Sequence, residues 1–360
     1  MIDAPHFSDP VPVSAGALEA FMAALFTASG VSPAGARIVA ADLVRADLEG
    51  LPSHGILQSE VYLERLKRGS VSPRDAAEIV LDRDAVMVLD AHHMLGHLSS
   101  RQAMALAVEK ARRFGVAAVA VRNGFHFGSA GLYVQQATEA DCIGMVFCNS
   151  RPVMPAPGGA QKLVGTNPIA FGIPTPDVPV IVDMATSAGT VGRLRVAKKT
   201  GKPIPEGWAV AANGEPTTDA SVALDGMLLP MGGAKGFGLA FVADMMSGLL
   251  ASGAWGDAIG GLHTDLDTPF GTSHFFVAFD IGHFRPIVEF LAEAGRATER
   301  VRNSTPAPGH DKVHYPGERR WNTRKASGGV VRIEPVLANG LLRRAGELGV
   351  DASPLLSPAL

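Results

Sequence analysis

From residue 85 onward the chain alternates short apolar runs with helical stretches, and this rhythm constrains its fold more than any other feature. Residues 85–90, 116–121, 143–147, 169–173, 180–183 and 274–280 are rich in Val, Ile, Ala and Phe and read as strands. Residues 99–114, 128–140, 236–253 and 286–301 carry apolar positions at helical spacing. Strands interleaved with helices build a layered α/β domain. The two ends of the chain have another texture. Residues 15–29, 32–50 and 58–68 read as helices, with Ser32 and Pro33 as cap and first-turn residue and Gly69 as a stop. Residues 335–349 are helical again and can fold back on those first helices. The Pro/Gly-rich stretch 305–317 reads as a long loop, a kind of segment that is often functional.

Bulk properties exclude several classes. A hydrophobic content of 47% with 19% charged residues permits a sizeable core. A net charge of -3 gives no reason to expect nucleic-acid binding, and the short basic run 318–325 reads as a solvated loop. Cys142 and Cys148 are the only cysteines and sit in one apolar run, so they read as buried thiols, with no disulfide framework and no metal cluster. No His, Cys and carboxylate set has metal-ligand spacing. No apolar run approaches the ~20 residues that span a bilayer. Residues 1–14 hold no apolar leader core, so a cytoplasmic location is expected.

Familiar site signatures are missing. No Gly-x-Gly-x-x-Gly follows a strand, and there is no Walker loop, zinc helix or nucleophile elbow. Five other segments can carry chemistry. His126, in Gly124-Phe-His-Phe-Gly-Ser-Ala-Gly131, lies between a strand and a helix, where α/β proteins place their sites. Its side chain can exchange a proton near neutral pH, or it can simply bond a backbone carbonyl. Ser53 and His54 lie between two helices, where Ser53 can also act as a cap. Gly165-Thr-Asn-Pro168 is followed by Asp183-Met-Ala-Thr-Ser187, a carboxylate at a strand end that can orient a histidine, bind ribose hydroxyls or serve a turn. Gly232-Gly-Ala-Lys-Gly236 opens a helix, a setting suited to a phosphate or carboxylate. Tyr315-Pro-Gly-Glu318 alone is a turn.

Each motif is weak alone, but the series in this order resembles the malate/L-lactate dehydrogenase family of the non-Rossmann type. That family includes sulfolactate and ureidoglycolate dehydrogenases, diketogulonate reductase and piperideine-2-carboxylate reductase. The resemblance runs from about residue 41 to the C-terminal helix. It implies an α/β fold with a mixed-sheet, non-Rossmann nucleotide-binding domain over residues 85–301. A helical, substrate-side domain would be built from both chain ends, 1–84 together with 302–360. It also implies a homodimer, NAD or NADP as cofactor, and a small 2-oxo or 2-hydroxy acid as substrate, with hydride moving to or from C2.

Residue by residue, the resemblance assigns His126 to acid/base catalysis and Asp183 to supporting the site. It places Ser53, His54, Gln58, Tyr62 and Thr166 on the substrate side. Ser150, Met184, Ala185, Thr186, Lys235, Gly236, Pro316, Gly317 and Glu318 would line the cofactor. One position departs from the family pattern. Four residues after His54 the family commonly has an arginine that clamps the substrate carboxylate, and here that residue is Gln58. The departure keeps a cyclic imino acid open as an alternative substrate. A protein of this fold that only senses a nucleotide or metabolite is the reading from another class, and the pairing of His126 with Asp183 argues against it.

Overall fold

The structure, a computed structural model, describes residues 7–356, so part of the stretch read for a leader lies outside it. A seven-stranded mixed sheet forms the centre. Its order is Glu78–Arg83, Val86–Asp90, Val116–Gly124, Thr272–Asp280, Cys142–Cys148, Ile169–Ile173, Val180–Met184. Val86–Asp90 and Val116–Gly124 run parallel and are joined across the sheet by the helix Gly96–Phe114. Every other neighbouring pair is antiparallel. The strands ending at Asp90, Gly124, Cys148 and Met184 therefore all finish at one edge of the sheet.

Side chains alternate across this sheet, as the two-residue period of a strand requires. Val119, Val121 and Phe276 join a large core that also takes residues of the Gly96–Phe114 and Gly131–Thr138 helices and of the first two helices of the chain. Their neighbours Ala120 and Phe275 join a second core with Phe147, Ala243 and Ala251. The sheet is thus covered on both faces, which explains why its strands read as unbroken apolar runs. Both cysteines are buried and free in the Cys142–Cys148 strand.

The chain ends meet. Val11–Ser14 pairs antiparallel with Val330–Ile333, and the helix Ala15–Ala28 contacts both Pro33–Leu48 and Pro335–Leu348. Ser32 accepts a hydrogen bond from Gly35 N, with Pro33 in the first turn, so the second helix starts where local chemistry dictates. Strand Glu78–Arg83 precedes the 84/85 division yet pairs with Val86–Asp90, so it belongs to the central sheet.

Other segments differ from the sequence reading. The stretch 318–325, read as a solvated loop, is the helix Glu318–Ala326. It has Glu318 in the first turn and Arg324 and Lys325 in the last, a charge order that suits the helix dipole. The helix read over 236–253 is Ala234–Asp244, followed by a π-turn at Met245–Leu249. A small sheet of Met227–Leu228, Ala209–Val210 and Pro216–Thr217 packs with the helices Val191–Thr200 and Ala220–Asp225 around Leu194, Ile204 and Leu228. Among the described residues no helix is long and apolar enough to cross a membrane.

Candidate active site

His126 follows the strand Val116–Gly124 at the edge where the four strands finish. In open α/β sheets this is where ligands bind. The start of the Gly96–Phe114 helix lies hard against this segment. A Cβ on Gly96 would come within 2.3 Å of the Phe125 carbonyl oxygen, so only glycine permits the approach.

Tyr62, fully buried on the helix Ser59–Arg68, places its hydroxyl 2.5 Å from His126 Nδ1. The His54 ring stacks near His126 at 5.9 Å between centroids, and Ser53 Oγ lies 2.9 Å from His54 Nδ1. Ser53 makes no helix-capping bond.

Burial pushes the His126 pKa well below its usual 6.5, and the nearby His54, His97, His263 and His274 push the same way. Burial also keeps the Tyr62 phenol protonated, well above its usual range. His97 and His274 lie fully buried, with no hydrogen-bond partner on either ring nitrogen among the described residues. Burial lowers them to about 4 and about 3, so both are neutral. His126 therefore rests as neutral imidazole. The Tyr62 hydroxyl can accept from Nδ1–H, and that one hydrogen bond suits both a neutral ring with a free lone pair on Nε2 and the imidazolium.

Asp183 ends the adjoining wall. Its Oδ2 accepts from Ser129 Oγ at 2.5 Å, Gly131 N at 3.0 Å and Arg320 Nη1 at 2.9 Å. Burial raises this carboxyl, but the Arg320 charge and these bonds outweigh it, and the pKa falls below its usual value. Asp183 holds the segment that follows His126 and bonds no histidine. Nothing in the sequence marks Arg320, because its helix is almost wholly polar and carries no apolar periodicity. Its Nη1 also lies 3.3 Å from Ser129 Oγ, and its charge is felt at His54.

The other motifs close ranks beside Asp183. Thr186 donates through N and Oγ1 to the Thr166 carbonyl, both at 2.9 Å, and Met231 N donates to the Thr186 carbonyl at 2.9 Å. Ser150 N donates to Asn167 Oδ1 at 2.9 Å. Met184 and Lys235 are exposed, and Ala185 is half-buried. Lys235 and Gly236 lie in the first turn of the helix Ala234–Asp244, whose four leading N–H groups have no intrahelical acceptor. Gly232 and Gly233, at φ 60° and 64°, would have nothing within 4 Å of an added Cβ, so the approach to that helix is open. Ile181 N donates to the Pro316 carbonyl at 3.1 Å, which brings the Pro316-Gly317 turn against the Asp183 strand.

Glu318 faces elsewhere, and Gln58 is committed only in part, since its buried Oε1 has no hydrogen-bond partner among the described residues. Glu318 is buried and accepts from Arg302 Nε and His314 Nδ1, so its carboxylate serves its own segment. Gln58 is buried, and its amide donates to the Ser53 carbonyl at 2.7 Å.

Comparison with known proteins fits this geometry. The malate/L-lactate dehydrogenase family profile matches residues 13–338. The chain belongs to that family. A malate dehydrogenase of Pyrococcus abyssi is 34% identical over 346 residues, covering 93% of this chain and 95% of the relative. The sulfolactate dehydrogenase structure from Methanocaldococcus jannaschii superposes with a TM-score of 0.92 at 33% identity, covering 96% of this chain and 100% of that one. A delta1-piperideine-2-carboxylate reductase structure from Pseudomonas syringae gives a TM-score of 0.80 at 28% identity, covering 92% of this chain and 99% of that one. This dehydrogenase family member is accordingly an oxidoreductase acting on CH–OH groups.

Proposed function

We propose that the protein transfers hydride between a nicotinamide dinucleotide, NAD or NADP, and C2 of a small 2-hydroxy or 2-oxo acid, with His126 exchanging the proton. The observation that carries this reading is the cluster of His126, Tyr62 and His54 beside Asp183, at the edge where the strands finish.

The segments beside Asp183 fit a dinucleotide. The open glycine approach, the unpaired N–H groups of the Ala234–Asp244 helix and exposed Lys235 suit its pyrophosphate. Ser150, Thr166 and the 184–186 segment would flank it, and the Pro316-Gly317 turn would close that side. When bound, the dinucleotide supplies the hydride acceptor or donor. The chain's own residues do the rest. Neutral His126 takes the hydroxyl proton as the hydroxy acid is oxidised, and its imidazolium returns that proton as the oxo acid is reduced. Tyr62 keeps the ring aimed. Asp183, locked by Arg320, holds the 129–131 backbone.

The depressed His126 pKa sets a pH dependence. Oxidation needs the base form, and a lowered pKa keeps that form populated at lower pH. For hydroxy-acid oxidation, kcat/KM is expected to stay level as pH falls through about 6.5, breaking only well below it. A pH profile with a break at or above that value would contradict the assignment. The reaction itself is tested with C2-deuterated hydroxy acid. Deuterium should arrive on the dinucleotide with a primary isotope effect, whereas label lost to water would rule out direct transfer.

A second reading, reduction of a cyclic imino acid, is favoured by neutral Gln58. We also place the site between residues 85–301, joined by the strand Glu78–Arg83, and the unit built from the rest of 1–84 and 302–360, in a cytoplasmic homodimer. The exposed apolar side chains Phe241, Val242, Met245, Leu249 and Trp255 support pairing of two copies. Sedimentation as a monomer at micromolar concentration would remove that part.

A further inference from the structure

The turn that carries Ser53, His54 and Gln58 is closed by its own bonds. His54 N donates to the Leu51 carbonyl at 2.9 Å, Gln58 N to the Gly55 carbonyl at 3.0 Å and Gln58 Nε2 to the Ser53 carbonyl at 2.7 Å. These bonds set the shape of the turn and leave its seat to other contacts. Asp47, the penultimate residue of the helix Pro33–Leu48, supplies one. Its Oδ2 accepts from Ile56 N at 2.8 Å. The same carboxylate lies against Gly55, where an added Cβ would overlap both oxygens and the carbon between them. Gly55 has φ -92°, so no left-handed backbone calls for glycine here; the carboxylate does.

Asp47 is half-buried, and burial pushes its carboxyl up to about 7, with the Ile56 bond working against the rise. Ile56 N is its one side-chain hydrogen-bond partner among the described residues. The helix that carries Asp47 is tied to the His126 segment as well. Buried Asp42, on that helix, pairs with Arg101 of the helix Gly96–Phe114, whose Nε lies 2.9 Å from Asp42 Oδ2. The helix of Arg101 begins at Gly96, where an added Cβ would come within 2.6 Å of the His126 carbonyl oxygen. His54 and His126, with ring centroids 5.9 Å apart, are thus both set by one braced pair of helices.

We propose that Asp47 is a positioning residue for the reaction: its carboxylate grips the Gly55–Ile56 backbone and so holds the His54 ring against His126. The proposal rests on the 2-oxo acid reading above. Asp47 acts through the turn and makes no contact with the substrate.

The test compares the wild-type protein with Asp47→Ala, Asp47→Asn, Gly55→Ala and the double variant Asp47→Ala/Gly55→Ala. The substrate is whichever 2-oxo acid the wild type reduces, and all assays run below the melting temperature of every variant. In Asp47→Ala, kcat/KM for the acid should fall about 10- to 100-fold, the effect of losing one hydrogen bond to a charged group. The dinucleotide Kd should stay within about threefold. Asp47→Asn keeps an acceptor for Ile56 N and should restore kcat/KM to within about threefold of wild type. Gly55→Ala should fall about as far as Asp47→Ala, because its methyl displaces the carboxylate, and the double variant should fall no further than either single one. Wild-type activity in Asp47→Ala would overturn the proposal and leave the reaction assignment standing. So would equal losses in Asp47→Ala and Asp47→Asn, or losses that multiply in the double variant. A dinucleotide Kd that weakens in step with kcat/KM would also overturn it, since it would mean a loosened fold. If the wild type reduces no 2-oxo acid, the reaction assignment falls and the proposal with it.

Discussion

His126→Ala is expected to cut turnover by about 10²- to 10⁴-fold, the range removed with a general acid–base group. Dinucleotide affinity should be unchanged, because the segments proposed to line it are tied to one another and none bonds the His126 ring. The fold should survive as well. Part of the His126 ring surface stays exposed, and among the described residues its one side-chain hydrogen bond is to Tyr62. Steady-state turnover and a fluorescence titration of the dinucleotide, run on the same preparation, separate the two effects. Turnover near the wild-type level would remove His126 from the chemistry.

Arg65→Met should be the most damaging change to stability outside the apolar core. Methionine keeps much of the bulk but none of the donors. The loop carbonyls of Gly261, Leu262, Thr264 and Thr268 would lose bonds of 2.6 Å, 3.1 Å, 3.2 Å and 2.8 Å to a charged donor. Hydrogen bonds to charged groups contribute about 1.5–3 kcal/mol each, and the loop can rehydrate part of the loss. A net cost of about 2–4 kcal/mol follows, read as a melting temperature lowered by several degrees. Because Arg65 shares its helix with Tyr62, the partner of His126, activity should fall with it. A melting temperature and activity equal to wild type would show that the loop holds without Arg65.

Much of the fold could be read from the sequence because local chemistry sets it. Ser32-Pro33 starts a helix, Gly69 and Gly115 stop two others, and Val116–Gly124 is an apolar run in a sheet covered on both faces. The segments that escaped had weak local signals. Glu78–Arg83 is a largely exposed edge strand without clean alternation, and the strands of the small sheet are two residues each.

The site divides in the same way. His126, His54 and Asp183 stand out as polar residues at breaks in the pattern. Their pairings do not, since Tyr62, named only through the resemblance, meets His126 across 64 positions and Arg320 meets Asp183 across 137. The lost charge at Gln58 was legible. The direction of its amide, back onto Ser53, appears only once the turn is folded.

The central claim is the reaction, and one absorbance measurement addresses it most directly. Purified protein would be mixed with NADH and NADPH in parallel, against pyruvate, oxaloacetate, sulfopyruvate, oxalurate, diketogulonate and piperideine-2-carboxylate. The account predicts loss of the nicotinamide band with at least one 2-oxo acid, abolished in His126→Ala. Binding of the dinucleotide without oxidation by any member of the panel would contradict it and favour a sensor.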